Sequence, residues 1–231
     1  MTRFVSSAST SPRAFSRATA RTPSSSRRRR KLSTVTTTRP AAVSSPTPDD
    51  ASASERLKRT TVRWLDAFIV DMNLCPFAKP AMSTLVIETT RAWEDELRGL
   101  VTRETARLMA CSTREPATTL CVLDEEDVNA SFEAFMEGPV RLAEDVCEEL
   151  SDGAVTVVPF HPKADWGEGD EAGDFTSKSP WATIHLLRQC DIDRAEESWY
   201  RDEGREDIRE RNVEYLRALG IEELSRRFAE L

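Results

Sequence analysis

Residues 118–123 read Thr-Thr-Leu-Cys-Val-Leu (TTLCVL), a short apolar run with the length and composition of a buried β-strand. Similar runs lie at 84–90 (TLVIETT) and 154–160 (AVTVVPF), and the segments between the runs carry apolar residues at helical spacing. Strands and helices that alternate in this way are typical of right-handed crossovers and parallel pairing. The sequence therefore predicts a single α/β domain with a small, mostly parallel sheet of three to four strands packed with helices.

Amphipathic helices flank this central region on both sides. Ser52 and Glu55 have the spacing of a capping box, which predicts that the first helix begins there. The Gly138-Pro139 pair should break the helix before the third strand, with the proline at the first position of its second half. Two helices at the carboxyl terminus, with Gly220 just past the end of the first, are expected to pack as a pair over the sheet.

The amino-terminal segment differs in composition from the rest of the chain. Residues 1–48 contain no Asp or Glu, nine Arg, one Lys, and twenty Ser or Thr. An Arg-rich, Ser-rich and acid-free segment is typical of organelle transit peptides. We therefore expect residues 1–48 to be a disordered and cleaved transit peptide, 49–54 a linker, and 55–231 the folded domain.

The prolines of the same segment indicate the compartment to which it would direct the protein. Pro12, Pro23 and Pro40 interrupt any long amphipathic helix, which favours the chloroplast over the mitochondrion. A basic tail without a targeting role, or a nuclear localisation signal in residues 27–31, would have a similar composition.

The charge of the chain excludes some partners. The full sequence has 32 basic and 40 acidic residues, for a net charge of −8, but ten of the basic residues and none of the acidic ones lie in residues 1–48. The remainder therefore has a net charge of −18, which repels nucleic acid and anionic membrane surfaces. No apolar run approaches the length of a membrane span. We expect no nucleic-acid or membrane partner, and the sequence leaves the oligomeric state open.

The cysteines indicate a reducing compartment. There are five of them, an odd number, with no C-x-x-C pair and no zinc-like spacing: Cys75, Cys111, Cys121, Cys147 and Cys190. A disulfide framework is not expected from this pattern.

The least regular part of the domain, residues 161–191, is where a site is expected. It contains the acidic, glycine-containing loop 165–174, and the only two histidines of the chain, His161 and His185, lie on either side of that loop. Long irregular loops inside compact domains are often functional. His161 follows a predicted parallel strand, at the sheet edge where open α/β sheets bind ligands. We therefore predict that His161 is a general acid or base.

The second histidine belongs to a segment, residues 181–188, that the sequence leaves open between strand and helix. In a helix His185 and Arg188 would share a face, and with Lys178 and Ser179 they could bind an anionic substrate. In a strand His185 and Arg188 would lie on opposite faces. For either histidine, the alternative is an imidazole hydrogen-bonded in the core.

Three further possibilities involve sulfur or metal. Cys75 could be a third catalytic residue, although its place after a helix carboxyl terminus raises a thiol pKa, and a simply packed thiol is the alternative. Cys75, His161 and His185 together with a loop aspartate could instead bind zinc or iron. The loop acids Asp165, Asp170 and Asp174 could hold a cation, but a solvated charged loop fits their spacing better.

Four short motifs recur in one order and resemble a known family. They are LCPFAKP at 74–80, FHP at 160–162, Ser179-Pro180 followed by HLLR at 185–188, and Asn212 before Leu219-Gly220. Over about residues 55–222, they resemble the bacterial and plastid proteins grouped as domain of unknown function 1415. The resemblance implies no established reaction. The chain departs from that family's pattern at Lys178, where arginine is usual, and at Gln189, where glutamate is usual.

These observations lead to one leading hypothesis and two alternatives. The leading hypothesis is an organellar enzyme that acts on a small anionic or polar metabolite, with histidine acid/base chemistry and Arg/Lys anion contacts. It predicts a concave pocket into which the histidines converge. The alternatives are a non-catalytic binding or assembly module, with both imidazoles paired to the backbone, and a Cys/His metal site. The sequence does not identify a cofactor.

Overall fold

The computed structural model describes residues 48–231, except Pro76, Glu168 and 204–206. These described residues belong to one compact unit. Residues 1–47 lie outside them, so the transit peptide stays a prediction. Within the described residues, no helix combines the length and the apolar character needed to cross a membrane.

The described part of the chain alternates helices and strands. The helices are α1 (Pro48–Trp64), α2 (Ala78–Ala81), α3 (Arg98–Ala110), α4 (Glu126–Ala130), α5 (Phe132–Phe135), α6 (Arg141–Ser151), α7 (Gln189–Glu203), α8 (Ile208–Leu219) and α9 (Ile221–Ala229). The strands are β1 (Leu85–Thr90), β2 (Thr118–Leu123), β3 (Val155–Phe160) and β4 (Ala182–Arg188). Wider π-helical turns adjoin the helices at Leu65–Val70, Trp93–Leu97 and Met136–Val140, and a 3-10 turn lies at Gly173–Ser177.

The strands form one mixed sheet in the order β1-β2-β4-β3. β1 and β2 are parallel, whereas β4 runs antiparallel to both β2 and β3. The three strands expected from the sequence therefore run in one direction, but β4 lies between the second and the third. The prediction of a mostly parallel sheet is wrong in this respect, because only the β1–β2 pair is parallel. β4 returns beside β3 from the edge where β3 ends, and a strand that returns in this way runs antiparallel.

Helices cover the sheet on both faces, which places the fold in the predicted α/β class. On one face α3, α5 and α6 pack against alternate strand residues, and the buried side chains include Leu97, Leu108, Cys121, Phe135, Val146 and Ile184. On the other face α1, α8, α9 and the 3-10 turn pack, and the buried side chains include Trp64, Phe68, Leu120, Phe175, Leu216 and Leu224. The predicted carboxyl-terminal pair is present as α8 and α9, with Gly220 between them at a φ of 80°.

The first helix begins earlier than the capping box suggests. α1 starts at Pro48, so the residues 49–54 assigned to a linker are helical. Proline is well suited to a first helical turn, and Asp50 in that turn forms an ion pair with Arg91 at 2.8 Å. Within α1, the Ser54 hydroxyl oxygen lies 2.8 Å from the Thr89 hydroxyl oxygen and so links α1 to β1.

The predicted helix break at Gly138-Pro139 is also wrong. Pro139 lies inside the π-helical turn Met136–Val140, which joins α5 to α6 without interruption. The wider π turn accommodates a proline ring that would clash within an ordinary α-helical turn. The glycine leaves room for a neighbouring side chain, because a Cβ at Gly138 would lie 3.1 Å from the indole of Trp93.

Candidate functional site

His161 is fully buried, and both of its ring nitrogens have backbone partners. Nδ1 accepts a hydrogen bond of 3.0 Å from the Lys163 N–H, so the ring proton lies on Nε2, which is 2.9 Å from the Val128 carbonyl oxygen. The ring also stacks on Phe135, with 5.2 Å between the centroids. Burial lowers the pKa of His161. The imidazole is therefore a neutral group that fixes the start of the irregular segment against α4.

His185 lies in β4, which decides the strand-or-helix alternative in favour of the strand. Its Nε2 is 2.5 Å from the Thr118 hydroxyl, and that hydroxyl donates to the Leu186 carbonyl at 3.0 Å. The imidazole must therefore be the donor towards Thr118. Burial lowers the pKa of His185 to about 4, so this ring is also neutral at physiological pH.

Arg188 lies on the face of β4 opposite to His185. It also lies at the end of the strands opposite to His161. It pairs with Val155 at the start of β3, whereas His161 follows the end of β3. A strand of six residues spans roughly 20 Å, which separates the two side chains. The buried guanidinium holds the loop before β2, with partners at Asp191 Oδ2 (2.7 Å) and the carbonyl oxygens of Cys111 (3.1 Å), Ser112 (3.0 Å) and Glu115 (2.6 Å).

The three remaining predicted site residues are Lys178, Ser179 and Cys75. Lys178 places its ammonium 4.4 Å from the centre of the Phe175 ring. Ser179 is buried and donates to the Trp181 carbonyl at 2.5 Å. Burial raises the pKa of the Cys75 thiol, which disfavours a thiolate. None of the six predicted residues lines either of the two clefts described below.

A metal site of the predicted kind is not formed by the described residues. No group of three or more His, Cys, Asp or Glu side chains in this part of the chain is positioned to hold a metal ion. Two of the loop acids are used locally, because Asp165 accepts from the Gly167 N–H and Asp170 forms an ion pair with Arg217 at 2.8 Å.

The irregular segment and α8 enclose a cleft of about 340 Å³, which we call the loop cleft. It is lined by Trp166, Asp170, Gly173, Asp174, Thr176, Ser177, Arg209 and Val213. The 3-10 turn that forms one wall is anchored by Phe175, which packs against Phe68 and Phe228 in the core. Gly173 allows the close turn, because a Cβ there would clash with the carboxylate of Asp170.

Asp174 is the unusual side chain of the loop cleft. It is only 9% exposed, and its hydrogen bond from the Trp166 N–H is long, at 3.4 Å. Burial raises the pKa of this carboxyl group. Carboxylates are rarely buried without a paired cation, and a raised pKa in a cleft is typical of functional groups.

Trp166 and Arg209 lie beside Asp174 in the lining of the cleft. The indole of Trp166 is held by a 3.2 Å hydrogen bond to Ser177 and by an edge contact with Phe132, yet the side chain is 45% exposed. Arg209 lies in the first turn of α8, one helical turn before Val213.

A second, wider depression of about 600 Å³ lies at the carboxyl edge of β1 and β2, and we call it the edge groove. It is lined by Arg91, Asp124, Glu125, Glu126, Asn129, Ala130 and Trp181. Open α/β sheets often bind ligands at this edge. Here, however, Arg91 is paired with Asp50 and Asp124, and Asn129 makes three hydrogen bonds to the backbone. These polar groups stabilise the fold. Asp174 in the loop cleft forms no ion pair with a described residue, and the Lys178 ammonium opposes only part of the rise in its pKa that burial causes.

The loop cleft lies in the segment where the sequence predicts a site, but its lining consists of other side chains than the predicted ones. The sequence suggests Asp174 only as a cation ligand and gives no site role to Trp166, Thr176, Ser177 or Arg209. Arg209, Val213 and Arg217 follow one another at i, i+4 spacing on α8. The two arginines of that stripe lie opposite an acidic loop, which is the signal that could have revealed the second wall of the cleft.

Comparisons with known proteins identify the family. No curated protein and no solved structure matches the chain. One family model matches, over residues 56–226, and its description is "Protein of unknown function (DUF1415)". The match covers well over half of the chain and includes all four strands. This protein therefore belongs to the DUF1415 family.

Proposed function

We propose that the protein binds a small polar metabolite in the loop cleft, and that Asp174 is the acid/base residue of this site in place of His161 and His185. The observation that carries the proposal is the burial of the Asp174 carboxyl group in the wall of a cleft without an ion-pair partner among the described residues.

The electrostatics of Asp174 favour this role. A general acid or base works best when its pKa lies near the working pH, and burial moves a carboxyl pKa in that direction. The two histidines have the opposite character. Their pKa values are lowered and their donor protons already have acceptors, so they have little capacity to exchange protons with a ligand.

The remaining lining of the cleft suits a small polar ligand. The Thr176 hydroxyl donates to the Gly173 carbonyl at 2.8 Å and the Ser177 hydroxyl accepts from Trp166, so each oxygen keeps capacity for a further hydrogen bond. A volume of about 340 Å³ is at the lower end of the roughly 300–1,000 Å³ common for ligand pockets. We further propose that the protein works in the chloroplast, on the basis of the acid-free segment 1–48.

A thermal-shift screen of small polar metabolites on the full chain tests the site. We expect at least one compound that raises the Tm of the wild type and of Glu171→Gln but not that of Asp174→Asn. Glu171 is an exposed acid of the same loop that does not line the cleft, so its variant controls for the loss of one negative charge. A library without any stabilising compound, or a compound that stabilises Asp174→Asn as much as the wild type, would contradict the proposal.

The stability of Asp174→Asn shows whether this variant is folded. A desolvated carboxylate destabilises the folded state, so Asp174→Asn should unfold at the same or a higher denaturant concentration than the wild type at pH 7. Loss of ligand binding with retained stability would then report on the site.

A non-catalytic binding module is the second candidate function. The observation that favours it is the internal pairing of both imidazoles, which removes the residues most often used for proton transfer. Proton NMR of a bound compound over several hours distinguishes the two functions. An enzyme converts the compound, and an Asp174→Asn variant does so more slowly, whereas a binding module returns the compound unchanged.

A further inference from the structure

We propose that the ligand of the loop cleft is a small zwitterion of amino-acid type, with its ammonium group between Asp174 and Trp166 and its carboxylate at Arg209. This inference rests on the proposed function, since it specifies the ligand class of the same cleft.

The charges of the cleft lining carry the argument. Three lining residues are charged: Asp170, Asp174 and Arg209. Asp170 is neutralised by Arg217, whose Nε and Nη2 lie 3.1 and 2.8 Å from the same carboxylate oxygen. Within the part of the chain that the structure describes, neither Asp174 nor Arg209 forms an ion pair. Among the described residues, the cleft therefore offers one anion from the loop and one cation from α8 that form no ion pair with each other or with another side chain.

The Asp174 side of the cleft suits an ammonium group. A buried carboxylate that has lost its water gains more from a nearby cation than an exposed one does, because the local dielectric is lower. The exposed indole of Trp166 can add a cation–π contact. Its ring is already fixed by Ser177 and Phe132, so little side-chain entropy is lost on binding.

The Arg209 side suits a carboxylate. A guanidinium binds a carboxylate through two parallel hydrogen bonds, and the first turn of a helix also favours negative charge. Val213 lies one turn further along α8 and also lines the cleft, which provides an apolar contact for a short side chain.

Ligands with other combinations of charge fit the lining of the loop cleft less well. A dicarboxylate would bring a second negative charge towards Asp174, and a diamine would bring a second positive charge towards Arg209. A neutral sugar would bring no positive charge to the Asp174 carboxylate.

The ligand class is tested by isothermal titration of the full chain with matched sets of compounds. Each set contains an amino acid, the amine without its carboxylate and the acid without its ammonium: L-serine, ethanolamine and 3-hydroxypropionate, and L-leucine, isopentylamine and 4-methylpentanoate. The other proteinogenic amino acids, β-alanine and glycine betaine complete the panel. We expect at least one zwitterion to bind, with at least ten-fold loss of affinity when either charged group is removed. A panel without binding, or equal binding by the amine or the acid alone, would overturn the inference.

Variants of Arg209 show which wall holds the carboxylate. We expect Arg209→Gln to weaken binding of the zwitterion about ten-fold or more and to abolish its preference over the corresponding amine. Arg141→Gln, on an exposed part of α6 outside the cleft, should leave both values unchanged. An unchanged preference in Arg209→Gln would exclude the assigned orientation.

The two proposals can fail separately. A compound of another charge type that binds in an Asp174-dependent manner would overturn the zwitterion inference and leave the proposed function standing. A compound whose binding is indifferent to Asp174→Asn would overturn both.

Discussion

His161 and His185 have lowered pKa values because folding removes water from their rings without supplying a compensating anion. Their partners are a carbonyl, an amide and a hydroxyl group, all of which suit the neutral imidazole. These side chains therefore stabilise the fold only while they are unprotonated. Asp174 shows the same effect for a carboxyl group, with the pKa moved upward.

The first prediction concerns the pH dependence of stability and His185. Its pKa is about 4 in the folded state and about 6.5 in an unfolded chain, so the unfolded state binds more protons between these values. The stabilisation is complete above pH 6.5 and is lost as the pH falls towards 4. We expect the free energy of unfolding to drop by up to about 3 kcal/mol over this range because of this residue.

Urea unfolding at pH 7 and pH 4.5 measures the effect. His185→Gln keeps a donor for Thr118 but does not titrate, so its loss of stability between the two pH values should be smaller than that of the wild type. Equal losses in both proteins would show that His185 is not responsible.

At the scale of secondary-structure elements, side chains fix loops that the sheet alone does not hold. Arg188 binds three carbonyl oxygens of the loop between α3 and β2, and its partner Asp191 also accepts from the Ala117 N–H at 3.1 Å. Arg188, which the sequence predicts to bind substrate, therefore stabilises a loop at the end of the strands opposite to His161.

The second prediction tests this task. Arg188→Lys keeps the charge but loses the forked geometry that reaches several carbonyls at once, and we expect it to lower the free energy of unfolding by about 2–4 kcal/mol. Hydrogen exchange should accelerate at the amides of residues 111–117. Arg194→Lys, at a 49% exposed side chain that also contacts Asp191, should cost less than about 1 kcal/mol. Similar costs for both variants would contradict the assignment.

The third prediction compares two helical glycines. A Cβ at Gly99 would meet nothing within 4 Å, so Gly99→Ala should raise the free energy of unfolding by about 0.5–1 kcal/mol through higher helix propensity. A Cβ at Gly138 would lie 3.1 Å from Trp93, so Gly138→Ala should lack this gain or lose stability. Thermal unfolding of both variants gives the comparison. An equal gain at Gly138 would mean that Trp93 adjusts without cost.

Local patterns predicted the elements better than they predicted the pairing. The run TTLCVL forms β2 with the expected bounds, because all of its residues are buried and its length suits a strand. The place of β4 could not be inferred, since residues 181–188 have apolar residues at positions that fit either a strand or a helix. The roles of His161 and Arg188 depend on Val128 and on the loop at 111–115, which are distant in sequence. The loop cleft could not be inferred from the sequence either, because its walls come from separate segments of the chain.

At the scale of the whole molecule, the net charge depends on whether the amino-terminal segment 1–48 is present. The acid-free segment 1–48 carries ten positive charges, and the rest of the chain has a net charge of −18. Removal of the segment would therefore produce a strongly acidic protein, which is kept from anionic surfaces by repulsion.

The fourth prediction concerns this segment. Residues 1–48 fused to a fluorescent protein should direct it to chloroplasts in plant cells, and a fusion in which the nine arginines of the segment are replaced by glutamine should remain in the cytosol. Confocal microscopy with chloroplast and mitochondrial markers gives the result. Accumulation in mitochondria would contradict the proposed compartment, and accumulation in the nucleus would indicate a localisation signal at residues 27–31.

The position of β4 between β2 and β3 has a consequence for the order in which the molecule can be assembled. During synthesis, β1, β2 and β3 emerge before β4. Until residue 188 has emerged, β2 and β3 each present a row of unpaired backbone groups, which is a template for aggregation. The sheet therefore closes late, by insertion of its last strand into a central gap, and a nascent chain at this stage would depend on chaperones for protection.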